Sequence, residues 1–381
     1  MRGSKPGLLS TGDVAPWFVA PSIANPRFDF STVAGRYIVL SFVGSVRSSD
    51  GKALMDAFYR RAALFMNQDH YFFGVTCDPQ DRDDPRIMTT RPGMDMFWDL
   101  EGEICSRYGV EISANPGATS VVGTPVTYVM DPGLRIVARI ANVDPEEHAP
   151  IAGALLERLG PIEQEVPAAV QAPVLVVPNI FEPQLCRRLI EGYQQCGGSE
   201  SGFMRDQDGR TVPVIDHRHK RRSDWTVDNE GLCAAARARI QRRLVPLIER
   251  AFQFKVTRME RYIVACYDAG QGGYFRPHRD NTTMGTAHRR FAVTINLNAE
   301  DYEGGDLVFP EFGRRTYRAS TGGAVVFSCS LLHEAKPVRT NRRFVFLPFL
   351  YDETAAQIRE ASNARLGEGV TPYFMGRSTG N

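Results

Sequence analysis

The chain has 381 residues, of which 43% are hydrophobic and 23% charged, and its formal net charge is +1. This length suits two domains of ordinary size, and the composition is that of a globular protein. The balanced charge excludes a global field that would hold nucleic acid or an anionic membrane surface.

The polar start, Met1 to Gly7, leads into no apolar h-region, so no signal peptide is expected. Tyr37 to Val43 is an apolar run of buried-strand type, and residues 51–66 follow with Leu54, Phe58, Ala62 and Phe65 on one helical face. Tyr71 to Thr76 reads as a second strand and Ile104 to Tyr108 as a short helix. Val126–Met130 and Arg135–Ala138 flank Asp131-Pro132-Gly133, a hairpin turn signal. A helix over 146–159 ends at Gly160-Pro161. Strands alternating with helices, then a hairpin and a last helix, indicate an α/β domain over 1–160. Residues 161–173 form a Pro/Ala/Gln-rich linker.

A second domain, 174–352, opens with the strand Val174–Val177. Pro183 starts a helix that Gly197-Gly198 stop, and an Arg-rich helix spans about 230–251. Its Arg237, Arg239, Arg242 and Arg243 read as a solvated face. Strands dominate afterwards, at 258–267, 291–298, 306–309, 324–328 and 343–350. Helices first and strands later predict a β-sandwich or jelly roll with helices outside. Residues 353–381 form a tail of ambiguous structure. No apolar run approaches the ~18 residues of a membrane span. The seven cysteines are scattered without a C-x-x-C pair, which reads as reduced cytoplasmic thiols.

Two imidazoles and one carboxylate on one face of a metal leave open positions for O2 and a bidentate oxo-acid, the arrangement used by Fe(II) oxygenases. His278-Arg279-Asp280 has the spacing that a strand would put on one face, and His333 follows 53 positions after Asp280. His-x-Asp alone is a weak signal, since a single buried histidine is more often a core residue than a ligand. Its surroundings add to it. Tyr267 to Pro277 is Gly-rich and aromatic, Glu303-Gly304-Gly305-Asp306 lies before His333, and Arg343 stands ten residues after it. A guanidinium fork fits the far carboxylate of a dicarboxylic co-substrate.

On these residues the segment 174–351 resembles the prolyl-4-hydroxylase-like branch of the 2-oxoglutarate oxygenases, most strongly over 262–350. The resemblance implies a double-stranded β-helix that binds Fe(II) through His278, Asp280 and His333. It implies 2-oxoglutarate held by Arg343 with Tyr267 in its pocket, O2 as oxidant, and ascorbate as an optional reductant. Arg342 is the competing candidate if the strand register is one residue off. These families often carry a Tyr where this chain has Asn296, so Asn296 and Thr294 are assigned to the co-substrate pocket. The retained carboxylate of Asp280 implies hydroxylation, because related halogenases lack it.

Arg221, Arg222 and Trp225 end a basic run at the place where prolyl hydroxylases border the substrate cleft, and Tyr274 joins them as a substrate candidate. A solvated loop is the plainer reading of that run, and His217 and His219 read as surface residues. Nucleic-acid demethylases of the same superfamily carry two arginines six apart after the last histidine; Arg339 is followed at that distance by Val345, which disfavours them. The implied substrate is a peptidyl side chain, proline by resemblance. A free amino acid or small natural product is the alternative.

Residues 10–160 resemble thioredoxin-fold redoxins near the peroxiredoxins, on Gly12–Pro16, the strand 37–43, Trp98–Gly102 and Thr124–Asp131. The resemblance implies a cis proline at Pro125 and a nucleophilic cysteine at the start of the helix after strand 37–43. The chain has Ser45, Ser48 and Ser49 there and no cysteine. A redoxin used for binding or homodimerisation is the implied role. A thiol peroxidase and a non-catalytic binding protein are the readings of other classes.

Overall fold

The computed structural model describes residues 7–89, 91–111, 113–114, 121–122, 124–162 and 170–375. The chain divides into two compact units, Met1–Val166 and Pro167–Asn381. Residues 163–169 of the expected linker lie outside the described residues.

In the N-terminal unit, Tyr37–Gly44 (β1) alternates its side chains between two apolar layers. Ile38, Leu40 and Phe42 face one layer, and Val39 and Val43 face the other. A strand covered on both faces has no reason to alternate polar residues, hence the continuous apolar run. Ser49–Arg60 (α1) is capped by Ser48, whose hydroxyl accepts from the Gly51 N–H. The helix stops before the expected residue 66; Ala62–Phe65 tighten into a 3-10 turn that keeps Phe65 on the same apolar face. His70–Thr76 (β2) and Met94–Trp98 (β3) pair in parallel with β1 and β2 in turn. Strand β3, Met-Asp-Met-Phe-Trp, lacks β-branched residues and was not anticipated. After Glu103–Tyr108 (α2), Val126–Met130 (β4) and Ile136–Ile140 (β5) form the expected hairpin, and His148–Leu159 (α3) follows. The sheet order is β3-β2-β1-β4-β5. This is a thioredoxin-like fold. The Thr124–Pro125 peptide is trans, as no cis peptide occurs among the described residues, which corrects the expected cis proline. Trans is the ordinary state of an X–Pro bond, and nothing local overrides it here.

The C-terminal unit opens with Leu175–Val177 (β6) and Pro183–Cys196 (α4). Ser199–Glu200 (β7) is followed by the hairpin Phe203–Gln207 (β8) and Arg210–Val214 (β9), then Lys220–Arg221 (β10) and Ser223–Thr226 (β11). The Arg-rich helix is Glu230–Arg239 (α5), a π turn at Ile240–Leu244, and Val245–Phe252 (α6). Pro246 has no N–H to give to the carbonyl four residues back, and the wider turn absorbs that loss. The stretch 258–267 is split by Arg261 at φ +64° into Arg258–Glu260 (β12) and Ile263–Asp268 (β13). Then come Tyr274–His278 (β14), Phe291–Asn296 (β15), Leu307–Val308 (β16), Thr316–Tyr317 (β17), Ala324–Ser328 (β18), His333–Ala335 (β19), Arg342–Phe346 (β20) and Phe349–Tyr351 (β21).

The larger sheet runs β6-β18-β15-β20-β13-β11-β7, and the smaller runs β10-β14-β19-β16-β17. One apolar layer, with Leu185, Leu189, Ile240 and Ile248, packs helices α4 to α6 on the larger sheet. A second layer, with Tyr267, Phe275, Phe309, Phe327 and Val345, draws on both sheets. This is a jelly roll with flanking helices. Arg243 corrects the solvated-face reading of the Arg-rich helix. It is buried and donates to Glu182 at 3.0 Å and to the Ile180 carbonyl at 3.0 Å. The tail forms a helix, Glu353–Ala361 (α7), and Tyr351, Ala355, Ala356 and Tyr373 make a small core of their own.

Candidate active site

Pairing of β14 with β19 sets His278 directly across from His333. Asp280 lies two residues past His278, in the turn beyond the strand and not on it as its spacing suggested. Its backbone N–H donates to the Cys329 carbonyl at 3.0 Å, which ties the turn to the end of β18. The Asp280 carboxylate oxygens lie 3.6 Å from His278 Nε2 and 3.5 Å from His333 Nε2. One ligand atom from each of the three residues falls within 4.8 Å of the others.

The two imidazoles are set in the tautomer that a metal needs. His278 Nδ1 is 2.8 Å from the Arg276 carbonyl, and His333 Nδ1 is 3.0 Å from the Leu331 carbonyl. A carbonyl only accepts, so each Nδ1 carries the hydrogen and each Nε2 lone pair is left for the shared centre. Burial, aided by neighbouring His278, pushes His333 down to about 4, so its ring is neutral at ordinary pH. Burial would raise the Asp280 carboxyl, but His333, His278 and Arg289 outweigh it and hold the group ionised. Phe275 stacks on His278 with ring centres 3.5 Å apart, and Phe327 packs on His333 at 4.5 Å. Two imidazole Nε2 atoms and one carboxylate fit a borderline-hard divalent metal such as Fe(II), with positions to spare.

The three residues open into a cavity of about 620 Å³. Tyr267 and Arg343 face each other across β13 and β20, both buried, with the guanidinium 5.0 Å from the ring centre. Arg343 makes no hydrogen bond or ion pair with any described residue, and its Nε is buried without a partner. Arg342 points the other way, to solvent, where it meets Asp268 at 2.8 Å. Strand alternation therefore selects Arg343 for the cavity. Gly305, at φ +71°, lies where a Cβ would come within 2.9 Å of Arg343 Cδ, so the missing side chain leaves room for the arginine stem.

Thr294 lines the cavity, but Asn296 does not. Asn296 sits one pleat further along β15, where its Nδ2 donates to the Ala319 carbonyl at 2.6 Å. Three of the four substrate candidates are also displaced. Trp225 packs against Gly192 of α4 in the outer core, because alternation along β11 sends Asp224 inward and Trp225 outward. Arg221 and Tyr274 are cross-strand partners on the outer side, and both bond the His217 carbonyl. Arg222 alone of the four lines the cavity, with Lys220 beside it. Lys220 was passed over because a basic run carries no period that marks which member turns inward. His219, read as a surface residue, also lines the cavity, with its ring centre 6.4 Å from that of His278. Arg359 of α7 reaches it from the tail.

The AhpC/TSA family model matches residues 11–139, and that of the 2OG-Fe(II) oxygenase superfamily matches residues 262–351. The chain joins an AhpC/TSA-type domain to a 2OG-Fe(II) oxygenase domain. A PKHD-type hydroxylase of Hyphomonas neptunium is 27% identical over 94 residues, 23% of this chain and 41% of that protein. This chain thus matches well under two thirds of that relative's length. A prolyl hydroxylase from Trichoplax adhaerens, solved with a hypoxia-inducible-factor peptide, superposes with a TM-score of 0.39 at 18% identity, over 49% of this chain and 86% of that one. The peroxidoxin BcpB of Mycobacterium tuberculosis gives 0.35 at 19% identity, over 40% and 99%.

In the AhpC/TSA-type domain the serines at the start of α1 have structural partners. Buried Ser45 meets Asp78 at 2.9 Å and Asp81 at 3.0 Å, and Ser48 caps the helix. Cys77 and Cys105, far apart in sequence, come together with Sγ atoms 3.5 Å apart. Their hydrogen bond and burial raise Cys105 far above an ordinary thiol, so it is poorly suited to act as a nucleophile. No helix among the described residues is long and apolar enough to cross a membrane.

Proposed function

We propose that the C-terminal unit is an Fe(II)- and 2-oxoglutarate-dependent hydroxylase, with His278, Asp280 and His333 as metal ligands and Arg343 as the anchor of the co-substrate's far carboxylate. The observation that carries this reading is one cavity holding both features. Three ligand atoms converge, the second nitrogens of the two imidazoles are already tied down, and a buried arginine lacks a hydrogen-bond partner at Nε. Bound Fe(II) supplies O2 activation coupled to decarboxylation of 2-oxoglutarate to succinate and CO2, with one oxygen atom delivered to a substrate C–H bond.

The chain's own residues supply position. The Arg276 and Leu331 carbonyls fix the two rings, and the Cys329 carbonyl fixes the Asp280 turn. Arg343 orients the co-substrate by charge and by two-pronged hydrogen bonding, with Tyr267 and Thr294 beside it. Phe275 and Phe327 shield the ligands from water. Asn296 has no part in this pocket.

The substrate we favour is a peptidyl side chain, with a free amino acid as the second reading. The AhpC/TSA-type domain is proposed as a docking or dimerising element without peroxidase chemistry. The test is succinate formation by the purified chain with Fe(II), 2-oxoglutarate and O2, combined with a search of lysate proteins and metabolites for a gain of one oxygen. We expect Fe(II)-dependent succinate from the wild type and none from His333→Ala. Equal turnover in both would refute the ligand assignment.

A further inference from the structure

The cavity is far more cationic than one dicarboxylate requires. Lys220, Arg222, Arg261, Arg289, Arg343 and Arg359 all line it. Their carboxylate partners are too few. Asp224 serves both Arg222, at 2.6 Å, and Arg261, at 3.5 Å. Glu260 serves both Arg289 and Arg359, each at 2.8 Å. Each group therefore keeps about one uncompensated positive charge. Lys220 has only neutral acceptors, Ser201 Oγ at 2.7 Å and the Gly202 carbonyl at 2.6 Å.

The surplus is buried. Lys220 is 5% exposed and Arg222 is 8% exposed, and Arg222 Nε has no partner. A charge out of water without a counter-charge is costly, which favours a binding role for such groups over a purely structural one. Burial and the nearby Arg222 push the Lys220 pKa well down, so its charged form is disfavoured until an anion sits beside it. Under the proposed function, the co-substrate's two carboxylates go to the metal and to Arg343. That leaves Lys220 and Arg222, backed by Arg261, without a ligand. Phe275, Leu307, Phe327 and Phe349 give the wall an apolar part, and Asp206, Glu260 and Asp280 are its carboxylates.

We infer that the hydroxylated substrate carries an oxyanion, a carboxylate or a phosphate, bound by Lys220 and Arg222, with its apolar body against the phenylalanines. This inference rests on the hydroxylase reading and narrows its substrate class. The oxyanion could be a free α-carboxylate or an acidic side chain of a peptide; the chemistry is shared, and the experiment separates the two.

The test uses the full chain, anaerobic, saturated with Fe(II) and 2-oxoglutarate at constant ionic strength. The unfolding midpoint is followed against inorganic phosphate, acetate and chloride, then against two matched pairs. The first pair is N-acetyl-L-proline and its amide. The second is a short proline peptide with Asp beside the proline and the same peptide with Asn. We expect a saturable rise with phosphate that chloride does not reproduce and that Lys220→Met abolishes. Within one pair the acid should half-saturate at a roughly tenfold or more lower concentration than its neutral partner, since a charge-assisted contact is at stake. The pair that discriminates identifies the source of the anion. Phosphate no better than chloride, or no acid preference in either pair, overturns the inference. Should Lys220→Met not fold, the wild-type comparisons and Arg222→Lys decide it. If Fe(II) and 2-oxoglutarate themselves leave the midpoint unchanged, the hydroxylase reading fails first; if they raise it and phosphate does not, only the anion inference fails.

Discussion

Replacing Arg343 with alanine tests the co-substrate pocket most directly. The side chain is 3% exposed and meets no carboxylate, so its charge is available for a ligand and screened little by solvent. Losing a buried, charge-assisted contact of this kind costs about 2–5 kcal/mol, which corresponds to a roughly 30-fold to several-thousand-fold weaker affinity for 2-oxoglutarate. The neighbouring Arg342→Ala is the built-in control. That arginine is 59% exposed on its side chain and pairs with Asp268 on the outer side, so its loss should cost under about 1 kcal/mol of stability and leave affinity alone. Anaerobic calorimetry of 2-oxoglutarate binding to the metal-loaded variants measures both. Metal affinity should stay within a few-fold in each, because neither residue touches the ligand triad. If Arg342→Ala weakens 2-oxoglutarate and Arg343→Ala does not, the pocket assignment is wrong despite the geometry.

Gly305→Ala should weaken 2-oxoglutarate binding and lower stability by about 1–2 kcal/mol, because the added methyl is strained at φ +71° and meets the Arg343 stem at 2.9 Å; an unchanged melting point and affinity would refute this. His148 is buried against Thr127, and burial lowers it to about 4, so its neutral form belongs to the native state. The unfolded chain binds the extra proton below its usual 6.5, so the His148 contribution is intact above that pH and is lost as pH falls toward 4, at up to about 1.4 kcal/mol per unit. Urea midpoints at several pH values should be less acid-sensitive in His148→Gln than in the wild type. Mild iodoacetamide on the native chain should label exposed Cys196 first and leave Cys186, raised to about 12 by burial, and buried Cys105 unlabelled by peptide mass mapping. For the same reason the chain should consume no hydrogen peroxide with a thiol reductant, and turnover at a peroxiredoxin's rate would refute the structural reading of Ser45 and Ser48.

What could be read before the structure was local in kind. The strand at 37–43, the hairpin around Asp131 and the proline-started helix at Pro183 are written in adjacent residues, and so is the His278–Asp280 pair. Arg343 could be placed because its strand is an apolar run with one period, whereas His333, on the short strand His-Glu-Ala, was legible only from its distance to the His278–Asp280 pair and from the resemblance. Facing was not legible wherever the period had no apolar members to mark it. In the basic run at 218–222, the inward pair is Lys220 and Arg222 while Arg221 faces out, and only pairing with β14 and β13 decides that. Trp225 was misassigned for the same reason. The hairpin at Asp208-Gly209 did carry a signal, since both residues take positive φ, and it was overlooked. The meeting of Cys77 with Cys105 and the sharing of Glu260 by Arg289 and Arg359 join residues separated by long stretches of chain. No spacing rule reaches them.

The reach of Arg359 into the cavity has a consequence for how the protein is made and handled. Arg359, on a helix near the end of the described residues, adds a second cation to the Glu260–Arg289 pair, and Gly369, Val370 and Thr371 also border the cavity. An expression fragment trimmed at the end of the last strand would keep every metal ligand and the Glu260–Arg289 pair, yet would lose Arg359 and the part of the cavity wall made by Gly369, Val370 and Thr371.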